Sequence, residues 1–95
     1  MPPQLTPRER AHLKARAHSL EPVVQTGGSG ITDGVVAEVD RALTAHELIK
    51  VRIGTDDRAD RVATGDELCE RTGAAPVHRV GKILILWRPR PVDSD

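Results

Sequence analysis

The 95-residue sequence has almost no aromatic residues: Trp87 is the only one, and phenylalanine and tyrosine are absent. A hydrophobic core must therefore be built from valine, leucine, isoleucine and alanine. The length allows one domain with one modest core. The scarcity of aromatic side chains disfavours modules that read nucleic-acid bases by stacking, such as RRM and OB folds.

Cysteine, net charge and long apolar runs are scarce as well. The single Cys69 excludes an internal disulfide or a Cys-pair metal site, and it suits a reducing compartment. The 14 basic and 14 acidic residues cancel, so total charge does not indicate the sign of a partner. No apolar run has membrane-spanning length and no signal-peptide pattern opens the chain, so we expect a cytoplasmic protein without a membrane partner. We also expect no metal and no cofactor.

Capping residues, turn residues and apolar periodicity predict the element order α-β-α-β-α-β-β. Gly65 weakens the third helix, which the sequence allows either as one helix or as two short pieces. The predicted elements are a helix from Pro7 to about His18 with Thr6 and Glu9 in capping-box positions, a strand over Pro22–Gln25, a helix capped by Thr32, a strand over Leu48–Ile53, a helix from the Thr55–Asp57 turn to Arg71, and a hairpin of Val77–Val80 and Ile83–Trp87.

This order indicates an α/β fold of the two-layer α+β type, with a four-stranded mixed sheet and helices mainly on one face. Ile83–Trp87 is apolar on both faces, which predicts an interior strand. In Leu48–Ile53 the apolar residues alternate with Lys50 and Arg52, which predicts one buried and one basic face. The domain should span residues 5–90, followed by a short tail at 91–95.

Charge is segregated along the chain although its sum is zero. Residues 1–30 carry four basic and two acidic groups, and residues 76–90 carry four basic groups and no acid. Residues 31–47 carry four acids against Arg41 alone. A face of one sign is typical of a nucleic-acid-binding protein, and chance clustering on a solvated surface is the alternative interpretation.

Gly27–Gly30 forms a Gly-x-x-Gly loop between a predicted strand and a predicted helix. Its bare amides and the following helix N-terminus are suited to gripping a phosphate, although a tight βα turn is the simpler interpretation. The loop matches neither a P-loop nor the dinucleotide fingerprint. No nucleophile or general base accompanies it, which disfavours an enzyme. A lone tryptophan near a strand end, such as Trp87, more often packs over the core than stacks on a base. We expect Cys69 to be a buried, inert thiol.

Taken together, the motifs resemble the CRM domain, and more narrowly its stand-alone bacterial YhbY-type form. The resemblance covers roughly residues 5 to 90, in order. It is carried by His12-Leu13-Lys14, Pro22-Val23-Val24, Gly27-x-x-Gly30-Ile31-Thr32-x-Gly34-Val35, His46-Glu47-Leu48-Ile49-Lys50-Val51, Thr72-Gly73-Ala74 and Val80-Gly81-Lys82-x-Leu84-x-Leu86-x-Arg88-Pro89.

The resemblance implies a fold like the C-terminal domain of translation initiation factor three. It also implies an RNA ligand, because bacterial members associate with precursors of the large ribosomal subunit and plant relatives assist intron splicing. In this family the glycine loop and nearby basic residues are the expected contact. Here the loop interior, Gly28-Ser29, is uncharged, so its neighbours must supply the positive charge.

The prediction is therefore a non-enzymatic protein that binds ribosomal RNA during large-subunit assembly, with no DNA or membrane partner. The alternative is an adaptor whose basic face binds an acidic protein. The expected RNA contacts are Arg10, Lys14, Gly27, Gly28, Ser29, Gly30, Thr32, Lys50, Arg52, Lys82 and Arg88.

Overall fold

The helices and strands follow one another in the predicted order. A computed structural model describes residues 4–27 and 30–89, so Gly28, Ser29 and the predicted tail lie outside the described residues. The elements are α1 (Pro7–Ala17), β1 (Pro22–Thr26), α2 (Asp33–His46), β2 (Leu48–Ile53), α3 (Arg58–Thr72), β3 (Ala75–Val80) and β4 (Ile83–Trp87).

The sheet is mixed and four-stranded, as predicted, with the strand order β1-β2-β4-β3. β1 pairs with β2 in parallel, and β4 pairs antiparallel with both β2 and β3. β4 is therefore the interior strand that its apolar run indicated. Gly81 has φ +56 in the hairpin turn, a conformation that glycine adopts without steric cost.

The three helices divide between the two faces of the sheet. Ile49, Val51 and Ile53 belong to the main core cluster under α2 and α3, whereas Leu48 belongs to a second cluster with α1. α2 and α3 thus form the expected helical layer. α1 adds a partial third layer on the opposite face, where it covers only part of the sheet.

Side-chain caps fix where the helices begin. Thr6 and Glu9 form a reciprocal capping box at α1, as predicted. The hydroxyl of Thr32 accepts a hydrogen bond from the amide of Val35 at 3.2 Å, and this bond caps α2. Asp57 caps α3 in the same way. The chain therefore turns from loop to helix at positions that the sequence specifies locally.

α3 is one continuous helix through Gly65. Gly65 is buried, and a Cβ at this position would lie only 2.9 Å from Cδ2 of Leu84. Glycine therefore serves close packing of α3 on the sheet. This contact explains why a local helix-breaking residue does not break the helix here.

Candidate functional site

The glycine loop leaves the carboxyl end of β1 and is held there by β2. The buried hydroxyl of Thr26 accepts a hydrogen bond from the amide of Gly54 at 3.1 Å. A Cβ on Gly54 would lie 2.5 Å from the carbonyl oxygen of Thr26, so only glycine allows this approach without a backbone shift. The sequence analysis did not identify Thr26 or Gly54 as functional residues. The one available signal was the glycine directly after the predicted strand Leu48–Ile53.

No contact among the described residues requires glycine at position 27. Gly27 is exposed, a Cβ there would meet no atom within 4 Å among the described residues, and its φ is not positive. Gly30 differs, because its φ of +95 is strained for other residues. The bare backbone at Gly27 is thus open to close approach from solvent.

Lys50 and Arg52 point to the face of the sheet that carries α1. They alternate with the core residues of β2, and neither side chain has a hydrogen-bond or ion-pair partner within residues 4–27 and 30–89. Arg52 is the register partner of Gln25, two residues before Gly27. Strand geometry places the Cα atoms of Arg52 and Gly27 about 8 Å apart. One ligand chain that carries phosphates can therefore contact both residues.

Arg10 and Lys14 share a flank of α1 but have different roles. Arg10 donates to the carbonyl oxygens of Pro76 at 2.7 Å and Val77 at 3.4 Å, which ties α1 to the edge strand β3. Lys14 lines a shallow groove beside Val77 and has no partner in the described part of the chain. Lys14 therefore adds free positive charge to this face, whereas Arg10 is held by the scaffold.

Lys82 and Arg88, the remaining predicted cations, are both ion-paired. Nζ of Lys82 lies 2.5 Å from Oδ1 of Asp56, and the hydrogen bond and charge of Lys82 lower the pKa of that carboxyl group. Arg88 donates to Oδ1 of Asp40 at 2.6 Å and to the carbonyl of Thr72 at 2.7 Å. Arg88 thus joins β4 to α2 and α3, away from Lys50 and Arg52.

The zero net charge conceals a polarity across the sheet. α1 carries four basic residues and one acidic residue, whereas α2 and α3 together carry seven acidic and four basic residues. The depression between Gly30 and α3 is lined by the carboxylates of Asp60 and Glu67. An anion should therefore approach the glycine loop from the α1 side. We call α1 and the sheet surface that it leaves open, with Lys14, Lys50 and Arg52, the α1 face.

Residues 5–88 match the CRS1/YhbY (CRM) domain family. The chain belongs to the CRM domain family. This CRM domain is 44% identical over 85 residues to an RNA-binding protein of Haemophilus influenzae, an alignment that covers 90% of this chain and 86% of that protein. It is 40% identical over 87 residues to a probable RNA-binding protein of Pseudomonas aeruginosa, covering 92% and 84% of the two chains. Neither relative is named as an enzyme.

The fold of the CRM domain also matches a solved structure. The solution structure of a hypothetical Staphylococcus aureus protein, described as a candidate RNA-binding protein, superposes with a TM-score of 0.84 at 26% identity. The match covers 96% of this chain and 95% of that one. The mixed four-stranded sheet with its helices is therefore shared over nearly the whole domain.

Trp87 and Cys69 are structural residues in this CRM domain. Trp87 is half-buried against the cluster that contains Leu13 and Ile85. Burial raises the pKa of the Cys69 thiol to about 11, so the group stays protonated and unreactive near neutral pH. No helix among the described residues is long and apolar enough to cross a membrane.

Proposed function

We propose that this CRM domain binds RNA through the glycine loop and the α1 face. The observation that carries the proposal is Gly27, where no contact among the described residues requires glycine and the backbone is bare to solvent. The names of the two bacterial relatives support RNA as the ligand. Lys50 and Arg52 lie beside the loop, and their side chains have no partner among the described residues, so they supply the charge that the loop itself lacks.

The CRM domain contacts the backbone of the RNA in this proposal. Loop amides and the N-terminus of α2 donate hydrogen bonds to phosphate, and cations of the α1 face neutralise neighbouring phosphates with release of counterions. The carboxylate of Asp33 at the start of α2 is ion-paired with Arg71 at 2.7 Å, which reduces its repulsion of a phosphate. The described residues include no exposed phenylalanine, tyrosine or tryptophan, so recognition depends mainly on backbone and shape.

The RNA that we propose is ribosomal RNA in precursors of the large subunit, bound by a non-enzymatic assembly protein in the cytoplasm. Membership of the CRM domain family supports this assignment. Crosslinking in cells followed by sequencing of the bound RNA tests it. Enrichment of large-subunit ribosomal RNA is the expected result. Enrichment of unrelated transcripts alone would leave RNA binding intact and overturn the assembly role.

Substitutions in the glycine loop test the interface. Gly27→Asp adds bulk and negative charge without strain or crowding, so it should leave the melting temperature unchanged. It should lower affinity for RNA more than tenfold, which corresponds to about 1.4 kcal/mol. Binding is measured by fluorescence anisotropy with a labelled fragment of large-subunit ribosomal RNA at matched folded fraction.

Two further variants serve as controls for Gly27→Asp. Gly27→Ala adds only a methyl group in open space and should weaken binding less. Gly30→Ala should destabilise the fold by about 1–2 kcal/mol, because its left-handed backbone disfavours a Cβ. Parent-like RNA affinity of folded Gly27→Asp would remove the loop from the interface. Binding of polyglutamate that depends on Lys50 and Arg52, without RNA binding, would favour the acidic-partner alternative.

A further inference from the structure

A cleft of about 260 Å³ lies between the first half of α3 and the β3–β4 hairpin. Its lining includes four cationic side chains, those of Arg58, Arg61, Arg79 and Lys82. No carboxylate lines it among the described residues, and the rest of its wall is mainly apolar, including Val62 and Ile83. The cleft therefore combines an apolar wall with a rim of four cationic side chains.

Three of the four cations are held in place by their own hydrogen bonds. Arg61 donates to the carbonyl oxygen of Asp56 at 2.7 Å, Arg79 pairs with Asp66 at 2.5 Å, and Lys82 pairs with Asp56 at 2.5 Å. Arg58 has no partner within residues 4–27 and 30–89. A guanidinium carries five N–H donors, so each arginine retains donors for a ligand. Hydrogen bonds thus position three of these cations, and Arg58 has no partner in the described part of the chain that would compete with a ligand.

The cleft opens at the same end of the sheet as the glycine loop. The amide of Ile53 donates to the carbonyl oxygen of Lys82 at 2.7 Å, which ties the hairpin turn to the end of β2. The next residue, Gly54, is bonded to Thr26 at the entry to the glycine loop. The cleft and the entry to the glycine loop are therefore neighbours at the end of β2.

The chemistry of the cleft matches a nucleotide. Guanidinium groups bind phosphate through paired N–H donors and stack on nucleobases, and an apolar wall accepts the face of a base. Whole small-molecule ligands usually occupy about 300–1,000 Å³, so this smaller cleft is suited to one planar ring. We propose that the cleft receives one unstacked nucleotide of the bound RNA, with its base against Val62 and Ile83 and its phosphate on Arg58. This inference rests on the proposed function.

A pair of RNA probes tests the cleft in the full chain. One probe is a labelled 12-base-pair RNA duplex, and the other is the same duplex with a single-nucleotide bulge. The parent should bind the bulged duplex at least about fivefold more tightly, which corresponds to about 1 kcal/mol. Val62→Trp fills the cleft from an exposed helix position, and Arg58→Ala removes the free guanidinium. Both should abolish the preference and leave affinity for the perfect duplex unchanged.

Arg41→Ala is the matched control, because Arg41 is an exposed arginine on α2 without a partner in the described part of the chain. It should retain the preference. Equal binding of both probes by the parent overturns the cleft assignment and leaves the proposed function standing. Binding of neither probe also overturns the cleft assignment, and the proposed function falls with it if the labelled fragment of large-subunit ribosomal RNA is not bound either. A preference that survives in folded Val62→Trp also overturns the assignment. If that variant does not fold, Arg58→Ala decides by the same criterion.

Discussion

Most cations on the two sides of the sheet differ in their partners rather than in their chemistry. On the α1 face, Lys14, Lys50 and Arg52 have no partner within the described residues. On the side of α2 and α3, Arg71, Arg79, Lys82 and Arg88 are all ion-paired, and only Arg41 and Arg58 lack a partner among the described residues. The predicted RNA contacts are thus divided into a scaffold group, which includes Arg88 and Lys82, and a group available to a ligand, which includes Lys14, Lys50 and Arg52. The predictions below test that division.

Arg88→Ala should produce the largest loss of stability. Arg88 bonds to Asp40, Thr44 and Thr72, and its side chain is only 20% exposed. Hydrogen bonds that involve a charged group contribute about 1.5–3 kcal/mol, so we expect the free energy of unfolding to fall by about 2–3 kcal/mol in urea titrations. RNA affinity at matched folded fraction should be unchanged. A stable Arg88→Ala protein with weakened RNA binding would place Arg88 in the interface and break the division.

Lys50→Ala combined with Arg52→Ala should weaken RNA binding and leave the stability unchanged. The melting temperature should stay close to that of the parent, because neither side chain has a partner in the described part of the chain. RNA affinity should fall about tenfold. The slope of log K against log salt concentration should decrease in magnitude by about 1.4–1.8, because two phosphate contacts are lost. Binding measured across a salt series checks this result, and an unchanged slope would exclude the pair from the phosphate contacts.

Lys82→Ala should have the smallest effect of these substitutions, a slight loss of stability. Its pair with Asp56 is solvent-exposed, so the melting temperature should change by less than about 4 °C. Lys82 lowers the pKa of Asp56 below 3.8 in the folded state. The small stabilisation is therefore present above pH 3.8 and disappears as the pH falls through the lowered value. Thermal unfolding of both proteins between pH 2 and 7 measures the difference, and a difference that grows in acid would contradict it.

Local signals were enough to predict the elements but not the roles of the arginines. The caps at Thr6 and Thr32 depend on residues three positions away, and the sequence identified both. Arg10 donates to Pro76, which lies 66 residues away, and Arg88 donates to Asp40, which lies 48 residues away, so no local pattern specifies these bonds. Local sequence also does not specify which face of the sheet α1 covers, because its narrow apolar stripe fits either face. The same limit applies to Gly65, whose neighbour Leu84 is set by the tertiary fold.

The central position of β4 has a consequence for synthesis on the ribosome. β4 is the last element of the domain to be made, yet it lies between β2 and β3. Until Ile83–Trp87 has emerged, β3 has no neighbouring strand and β2 keeps an open edge. The sheet therefore closes only after translation of the whole domain, in one late step that depends on contacts distant in sequence. A nascent chain stalled before Ile83 would expose unpaired strand edges, which promote association with other chains.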